Sequence, residues 1–425
     1  MSQTLKPFIR KLPPSATLIM NEQGQRFVKE GKKLYRFGFG QSPFYPPQAI
    51  INSLKEHAHI HDYLPVKGLL ELRHAVAKFH HDEQGLDYNP DNILIGPGSK
   101  QLIYSILASF TKADVLLTTP SWVSYEPQAE LLDHKSYRVP SSFEEKWQCT
   151  PENLQKVMDA RPDKSRPALM ILNYPGNPDG VTYTAEQLEA LAETCRKNNI
   201  IVIADEIYGF LTFEAKHRSL AEFYPEGTII TSGLSKWCGA GGWRLGVALL
   251  PENLAELLIE AIAGIGSETY SSATAPVQYA GVVAYSDPSI QEFLQQQRDI
   301  LNAIGTHVAE KLNAANVRVH KPEGGFYVYI DFDAHRDGFA KKGCTTSTEI
   351  CHYLLTNHLV AILPGVSFGE KPDRLTARLA FVDFEGSNAL SALSAGEALN
   401  QDFLEKHCPN VVDGIQAICD AVAAL

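Results

Sequence analysis

Between about residue 90 and residue 250, short apolar runs alternate with helix-patterned stretches, and this alternation restricts the fold more than any other feature. The runs are Ile93–Ile95, Val115–Leu117, Ala168–Leu172, Ile200–Ala204, Thr228–Thr231 and Val247–Leu250. A helix starts at Ser99, and Thr184-Ala-Glu-Gln187 forms a capping box ahead of Ile200, with each side chain satisfying a free backbone N–H. Strands alternating with helices imply a parallel sheet covered on both faces.

After about Pro288 the pattern changes. A long helical stretch runs to Asn316, with Ile290, Phe293, Leu294, Ile300 and Ile304 on or near one face. It is followed by strand-like Val317–His320 and Phe326–Asp331, helical Thr348–Asn357 and strand-like Arg378–Val382, which read as a smaller α+β unit. At 425 residues the chain exceeds what one growing core supports, so two units are expected, with the long helix joining them. No internal repeat or low-complexity tract is present.

With 44% hydrophobic and 20% charged residues there is ample material for globular cores. A formal charge of -11 without a basic block argues against nucleic acid or an anionic membrane as partner, which leaves a small molecule. Met1–Ser15 holds no apolar run of the signal-peptide kind, and no stretch of about 18 apolar residues suggests a membrane span. Seven cysteines, among them Cys195, Cys238, Cys344 and Cys351, form no CxxC pair and read as ordinary thiols of a protein in the reducing cytoplasm.

In an open parallel sheet, ligands bind beyond the carboxyl ends of the strands. Asp205 ends the run that starts at Ile200. An acid there can bind a metal, act as a base, pair with a cationic ring nitrogen, or simply cap a helix. Two further segments bear on that choice. One is Asn173-Tyr-Pro-Gly-Asn177-Pro-Asp-Gly180, a rigid turn after the strand ending at Leu172. The other runs from Ser232 through Ser235-Lys236 to Arg244 and Gly246, with a lysine and an arginine in a glycine-rich segment after Thr231.

Together, in this order and at these spacings, the segments resemble the class I/II aminotransferases, fold-type I enzymes of the aspartate aminotransferase superfamily that use pyridoxal 5'-phosphate. The resemblance extends to Leu12-Pro-Pro-Ser-Ala-Thr17, Gly96-Pro-Gly-Ser-Lys100, Pro120-Ser-Trp122 and Arg378-Leu-Ala-Phe381. It implies an α/β fold: a large cofactor domain over 46–287 with a mostly parallel sheet, and a small α+β domain from 1–45, with an N-terminal arm, and 288–425. It also implies a homodimer with active sites shared at the subunit interface.

Carried over residue by residue, the resemblance makes Lys236 the Schiff-base lysine, which also moves the proton at the substrate's α-carbon. Asp205 keeps the cofactor's ring nitrogen protonated, Asn177 and Tyr208 hydrogen-bond its 3′-oxygen, and Trp122 stacks on the ring. Gly98, Ser99 and Lys100 stand at a helix N-terminus suited to a phosphate, with Ser235 and Arg244 beside them. Relatives often carry a hydroxyl three residues before the lysine; Gly233 stands there in this chain. Tyr63 matches the tyrosine that reaches the neighbouring subunit's phosphate, and Ser271 or Ser272 crosses the same interface. Arg378 matches the fork that holds the substrate's α-carboxylate, with Asn177 and Gly40 beside the substrate. The arginine that binds a distal carboxylate in some members is replaced by Ser267, and Lys100 occupies the place used by others for that purpose.

The expected reaction is therefore ping-pong transfer of an amino group between an acidic, aromatic or neutral amino acid and a 2-oxo acid. The same frame supports C–S β-elimination, and related domains occur in cofactor-binding regulators of transcription, though no helix-turn-helix or basic patch is evident here. His57, His59 and His61 alternate, but no carboxylate or cysteine completes a metal set, so no metal is expected. Gly38-Phe-Gly40 and Gly239–Gly242 lack a dinucleotide fingerprint, and Glu144-Glu145 reads as solvated surface.

Overall fold

The computed structural model describes residues 8–9, 27 and 29–425; the Leu12–Thr17 motif lies outside the described residues. The strands in chain order are β1 (Tyr35–Arg36), β2 (Ile93–Gly96), β3 (Asp114–Thr119), β4 (Lys135–Pro140), β5 (Ala168–Asn173), β6 (Ile200–Asp205), β7 (Thr228–Gly233), β8 (Gly246–Leu249), β9 (Tyr327–Asp331), β10 (Val360–Ala361), β11 (Leu363–Pro364) and β12 (Thr376–Ala380). Seven of them form the main sheet in the order β2-β8-β7-β6-β5-β3-β4.

Side chains leave these strands alternately to the two faces. Val115, Leu117, Leu169 and Ile171 pack with the helices Ser99–Ala108 and Glu252–Thr269, while Leu116, Met170 and Leu172 pack with Pro151–Ala160 and Ala185–Lys197. Both faces are therefore apolar, which explains the unbroken hydrophobic runs. The Thr184–Gln187 capping box is present in both directions.

The sheet is mostly parallel, as expected, with one exception near an edge. β8 runs antiparallel to both β7 and β2. Only the short 234–245 connection separates β7 from β8, without the long crossover helix that a parallel return requires. A further strand, β4, pairs parallel to β3 at the opposite edge. Its sequence Lys-Ser-Tyr-Arg-Val-Pro is mostly exposed or half-buried, so it carries no apolar run to announce it.

A second sheet of β11, β12 and β9 is antiparallel, and β1 pairs parallel with β10. Val317–His320 is not a strand: a single bridge joins Arg318 to Asp331. The Asn313 carboxamide bonds both backbone groups of Val319, and the Arg318 guanidinium pairs with Asp331 at 2.6 Å, so side chains satisfy what a ladder would have.

The long helix spans Ser289–Ala314 and buries Ile290, Leu294, Ile300 and Ile304, with Phe293 half-buried at its edge. Its apolar face shares one core with Trp237 from the main-sheet side and Phe326 from the second sheet. The C-terminal helix Pro409–Ala423 buries Val411, Ile415, Ile418 and Val422 in the same core, next to β1 and β10. Among the described residues, no helix is long and apolar enough to cross a membrane.

Candidate active site

The carboxyl ends of β5, β6 and β7 meet at one level, with Asn173 opposite Asp205 and Asp205 opposite Thr231. A cavity of about 590 Å³ opens there. It is lined by Gly40, Ser99, Lys100, Trp122, Asn177, Asp205, Tyr208, Ser235, Lys236, Arg244 and Arg378, and so brings together residues more than 300 positions apart in the chain.

Strand alternation selects which acid faces the cavity. Asp205 points into it, while Glu206 turns away into a buried set with Tyr174 (3.1 Å), Gln84 (3.1 Å) and His217 (3.0 Å). Burial pushes the Asp205 carboxyl up to about 6; hydrogen bonds from Tyr125, at 2.6 Å, and from the Ile207 backbone oppose the rise. Asn173 donates to the Asp205 carbonyl at 2.7 Å and accepts from the Asn177 N–H at 2.8 Å, which ties the turn to the strand end.

Lys236 is half-buried, and its Nζ donates to the Gly40 carbonyl at 2.7 Å. Desolvation lowers its pKa, with the nearby Arg378 and Arg244 adding to the effect. The Tyr208 and Tyr327 hydroxyls lie 3.0 Å apart above it. Arg378, 2% exposed, donates to Asn177 Oδ1 at 3.0 Å and to the Gly38 carbonyl at 2.6 Å, leaving its Nε buried without a partner among the described residues.

At the opposite end, helix Ser99–Ala108 begins without a side-chain cap, so its first N–H groups are available to a ligand. Gly98, at φ +94°, lets Arg244 lie flush against the turn: a Cβ there would stand 2.1 Å from the guanidinium. Arg244 also donates to Ser235 Oγ at 3.3 Å and to the Gly241 carbonyl at 2.8 Å. Gly233 has a similar steric reason, since a Cβ on it would meet the Leu245 carbonyl at 2.5 Å. The β7–β8 return thus excludes any side chain, hydroxyl-bearing or not, at that position.

Lys100 Nζ lies over the Trp122 ring at 4.7 Å, and desolvation followed by the Arg244 and Lys236 charges lowers its pKa. Four cations, Lys100, Lys236, Arg244 and Arg378, line the cavity against one carboxylate, Asp205, among the described residues. Such a cavity demands an anionic ligand. Pyridoxal phosphate fits the donor set: an amine at Lys236, a buried carboxylate that needs a cation at Asp205, and a helix start with Arg244 and Ser235 for a dianion.

Four expected residues are not in the cavity lining: Gly98, which forms the turn beneath Arg244, and Tyr63, Ser271 and Ser272, which were expected at a partner subunit's site. Tyr63 is 87% exposed, Ser271 is exposed, and Ser272 is half-buried. Conversely, the sequence reading missed Tyr125, Tyr327 and Phe39, all of which line it. Tyr125 lies three residues after Trp122 at a helix start, but nothing local indicates a partner 80 positions away.

The model of the family described as aminotransferase class I and II matches residues 32–383. Over 406 residues the chain is 33% identical to the aspartate aminotransferase of Geobacillus stearothermophilus, covering 93% of this chain and 98% of that one. It is 32% identical to the bifunctional aspartate aminotransferase and glutamate/aspartate-prephenate aminotransferase of Petunia hybrida, covering 86% and 77%. The structure of the Thermus thermophilus aspartate aminotransferase with maleate superposes with a TM-score of 0.81 at 25% identity, covering 94% of this chain and all of that one.

Proposed function

Because the chain belongs to the class I and II aminotransferases, and is thus a pyridoxal-phosphate-dependent transaminase, we propose that it exchanges the amino group of aspartate or glutamate with a 2-oxo acid. Neutral or aromatic amino acids serve as further partners. The observation that carries the acidic preference is Lys100: its ammonium lies in the cavity with no carboxylate partner among the described residues. The names of the relatives, aspartate and aspartate-prephenate aminotransferases, support the same reading.

When bound, the cofactor supplies an electron-accepting ring conjugated to the substrate's α-carbon. Asp205 would hold a proton on the ring nitrogen, with Tyr125 holding Asp205. Lys236 would bind the cofactor covalently and then move the proton at the α-carbon. Its lowered pKa favours the neutral amine that this step requires. Trp122 would stack on the ring, and Asn177 and Tyr208 would bond the ring oxygen. Ser99, Ser235, Arg244 and the turn at Gly98 would form the phosphate cradle, to which Lys100 would add its backbone N–H at the helix start while its ammonium is left to the substrate. Arg378 would clamp the α-carboxylate beside Gly40, using the Nε that lacks a partner.

The same proposal takes 46–287 as the cofactor domain and 1–45 with 288–425 as the small domain. It takes the protein as a cytoplasmic homodimer in which Tyr63, Ser271 and Ser272 reach the partner's site; the high exposure of the Tyr63 ring supports a surface role of this kind. The test is to add aspartate alone and follow the bound cofactor's visible absorbance, then restore it with a 2-oxo acid. Release of pyruvate and ammonia from cystathionine, without amino transfer, would overturn the reading in favour of a C–S lyase.

A further inference from the structure

Arg138 lies on edge strand β4, opposite Leu117, and is not among the residues that line the cavity. Its guanidinium nevertheless reaches back over the loop that carries Trp122. Nη1 donates to the Thr118 carbonyl at 3.2 Å and to Ser121 Oγ at 2.7 Å, and Nη2 pairs with Glu126. Ser121 and Glu126 bracket Trp122 and Tyr125, so one planar fork spans both ends of the loop.

Another side of the same guanidinium rests on the second-sheet unit. A Cβ on Gly369 would stand 2.4 Å from Arg138 Cζ, so the group lies flush against a backbone that only glycine permits, at φ +90°. Gly369 closes the turn Gly365–Phe368. In that turn the Phe368 carbonyl accepts the Ser121 N–H at 3.0 Å, and the Phe368 ring stands 5.1 Å from the Arg378 guanidinium. A short path therefore links Trp122, Ser121, Arg138, Gly369, Phe368 and Arg378.

We propose that Arg138 is a positioning residue that sets the ring-stacking loop and the carboxylate-binding Arg378 relative to one another. This rests on the roles given above to Trp122 and Arg378. Planarity and two-sided donation are what the junction uses: a lysine could bond Ser121 or Glu126 but could not lie flat on Gly369 while bridging both. The Arg138–Glu126 pair is partly exposed, at 26% and 39%, so its removal costs the fold little.

The test uses holoenzyme with Arg138→Met and Arg138→Lys. The readouts are melting temperature, Kd for maleate as a non-reacting dicarboxylate, and separate KM and kcat for one amino donor. The expected result is a melting temperature near wild type and a maleate Kd and KM raised about tenfold, the effect of weakening one charge-assisted contact to the carboxylate, with a smaller change in kcat. Arg138→Lys should fail to rescue. Wild-type Kd and KM in Arg138→Met, or full rescue by lysine, overturns the proposal. Should Arg138→Met fail to fold, wild-type Kd and KM in Arg138→Lys overturn it equally. Arg378→Leu in the same titration isolates the premise: unchanged maleate binding there refutes the role of Arg378 whatever Arg138 does.

Discussion

The hydroxyl of Tyr125 donates to Asp205 Oδ2 at 2.6 Å, and both side chains are buried. It is the principal side-chain donor to that carboxylate, since Thr231 Oγ1 stands at 3.5 Å. Tyr125→Phe should raise the Asp205 pKa further and weaken its hold on a protonated ring nitrogen. A fall in kcat of roughly tenfold is expected, the scale of one hydrogen bond to a charged group. KM should change little, because Tyr125 has no assigned contact with substrate. Steady-state kinetics check this, and an unchanged kcat would show that the hydroxyl only fills space.

Asp205 also makes a prediction for stability without cofactor. Its pKa rises from 3.8 to about 6 on folding, so the folded protein binds the proton more tightly than the unfolded chain. The associated stability is full below about pH 4 and is lost as pH rises through about 6, a cost of about 3 kcal/mol for holding the anion. Asp205→Asn should flatten this part of the cofactor-free stability curve. Denaturant melts between pH 4 and pH 7 measure it, and identical slopes in both proteins would contradict the buried-carboxylate account. In the loaded enzyme, Asp205→Ala should leave the cofactor bound but slow proton abstraction by several orders of magnitude.

Lys236 is the amine that points into the cavity from the glycine-rich segment, with its Nζ on the Gly40 carbonyl. Lys236→Ala should abolish covalent retention of the cofactor. After exhaustive dialysis the variant should show no visible-range absorbance, whereas wild type retains it. Persistence of the band in the variant would reassign the attachment to another amine, with Lys100 the nearest candidate by its place in the same cavity.

These residues differ in how plainly the sequence announced them. Asp205 ends an apolar strand, and the segments that carry Asn177 and Lys236 follow two others; ligand sites in such sheets lie beyond strand ends, so hydrophobic runs locate the segments and the family resemblance picks out the residues. Tyr125 and Tyr327 gave no such signal. Their hydroxyls matter because of partners 80 and 119 positions away, Asp205 and Tyr208, and no local pattern encodes a pairing of that range. β4 was missed for a related reason: an edge strand shields one side only, so its residues need not be apolar. Val317–His320 has strand-forming residues but is claimed by the Asn313 carboxamide, a tertiary override of propensity.

On the proposed function, Lys100 decides between substrates. Its backbone carbonyl accepts from Gln128 at 3.0 Å, which fixes the helix start, while its side chain is left to the cavity and to the Trp122 face. Although Lys100 is exposed as a residue, its ammonium is partly desolvated, with its pKa lowered by burial and by Arg244 and Lys236, so it gains more from a carboxylate than a fully solvated one would. Against an apolar side chain the flexible stem can swing aside at small cost. Lys100→Ala should therefore raise KM for aspartate and glutamate by roughly ten- to a hundredfold, the range of a lost charge-assisted hydrogen bond. KM for phenylalanine or alanine should move far less. If Lys100 instead serves the phosphate end beside Arg244, the variant loses cofactor affinity and weakens every substrate alike. The ratio of kcat/KM for aspartate to that for phenylalanine, measured at saturating cofactor, separates the two: a drop assigns Lys100 to the distal carboxylate, and a constant ratio assigns it to the cofactor.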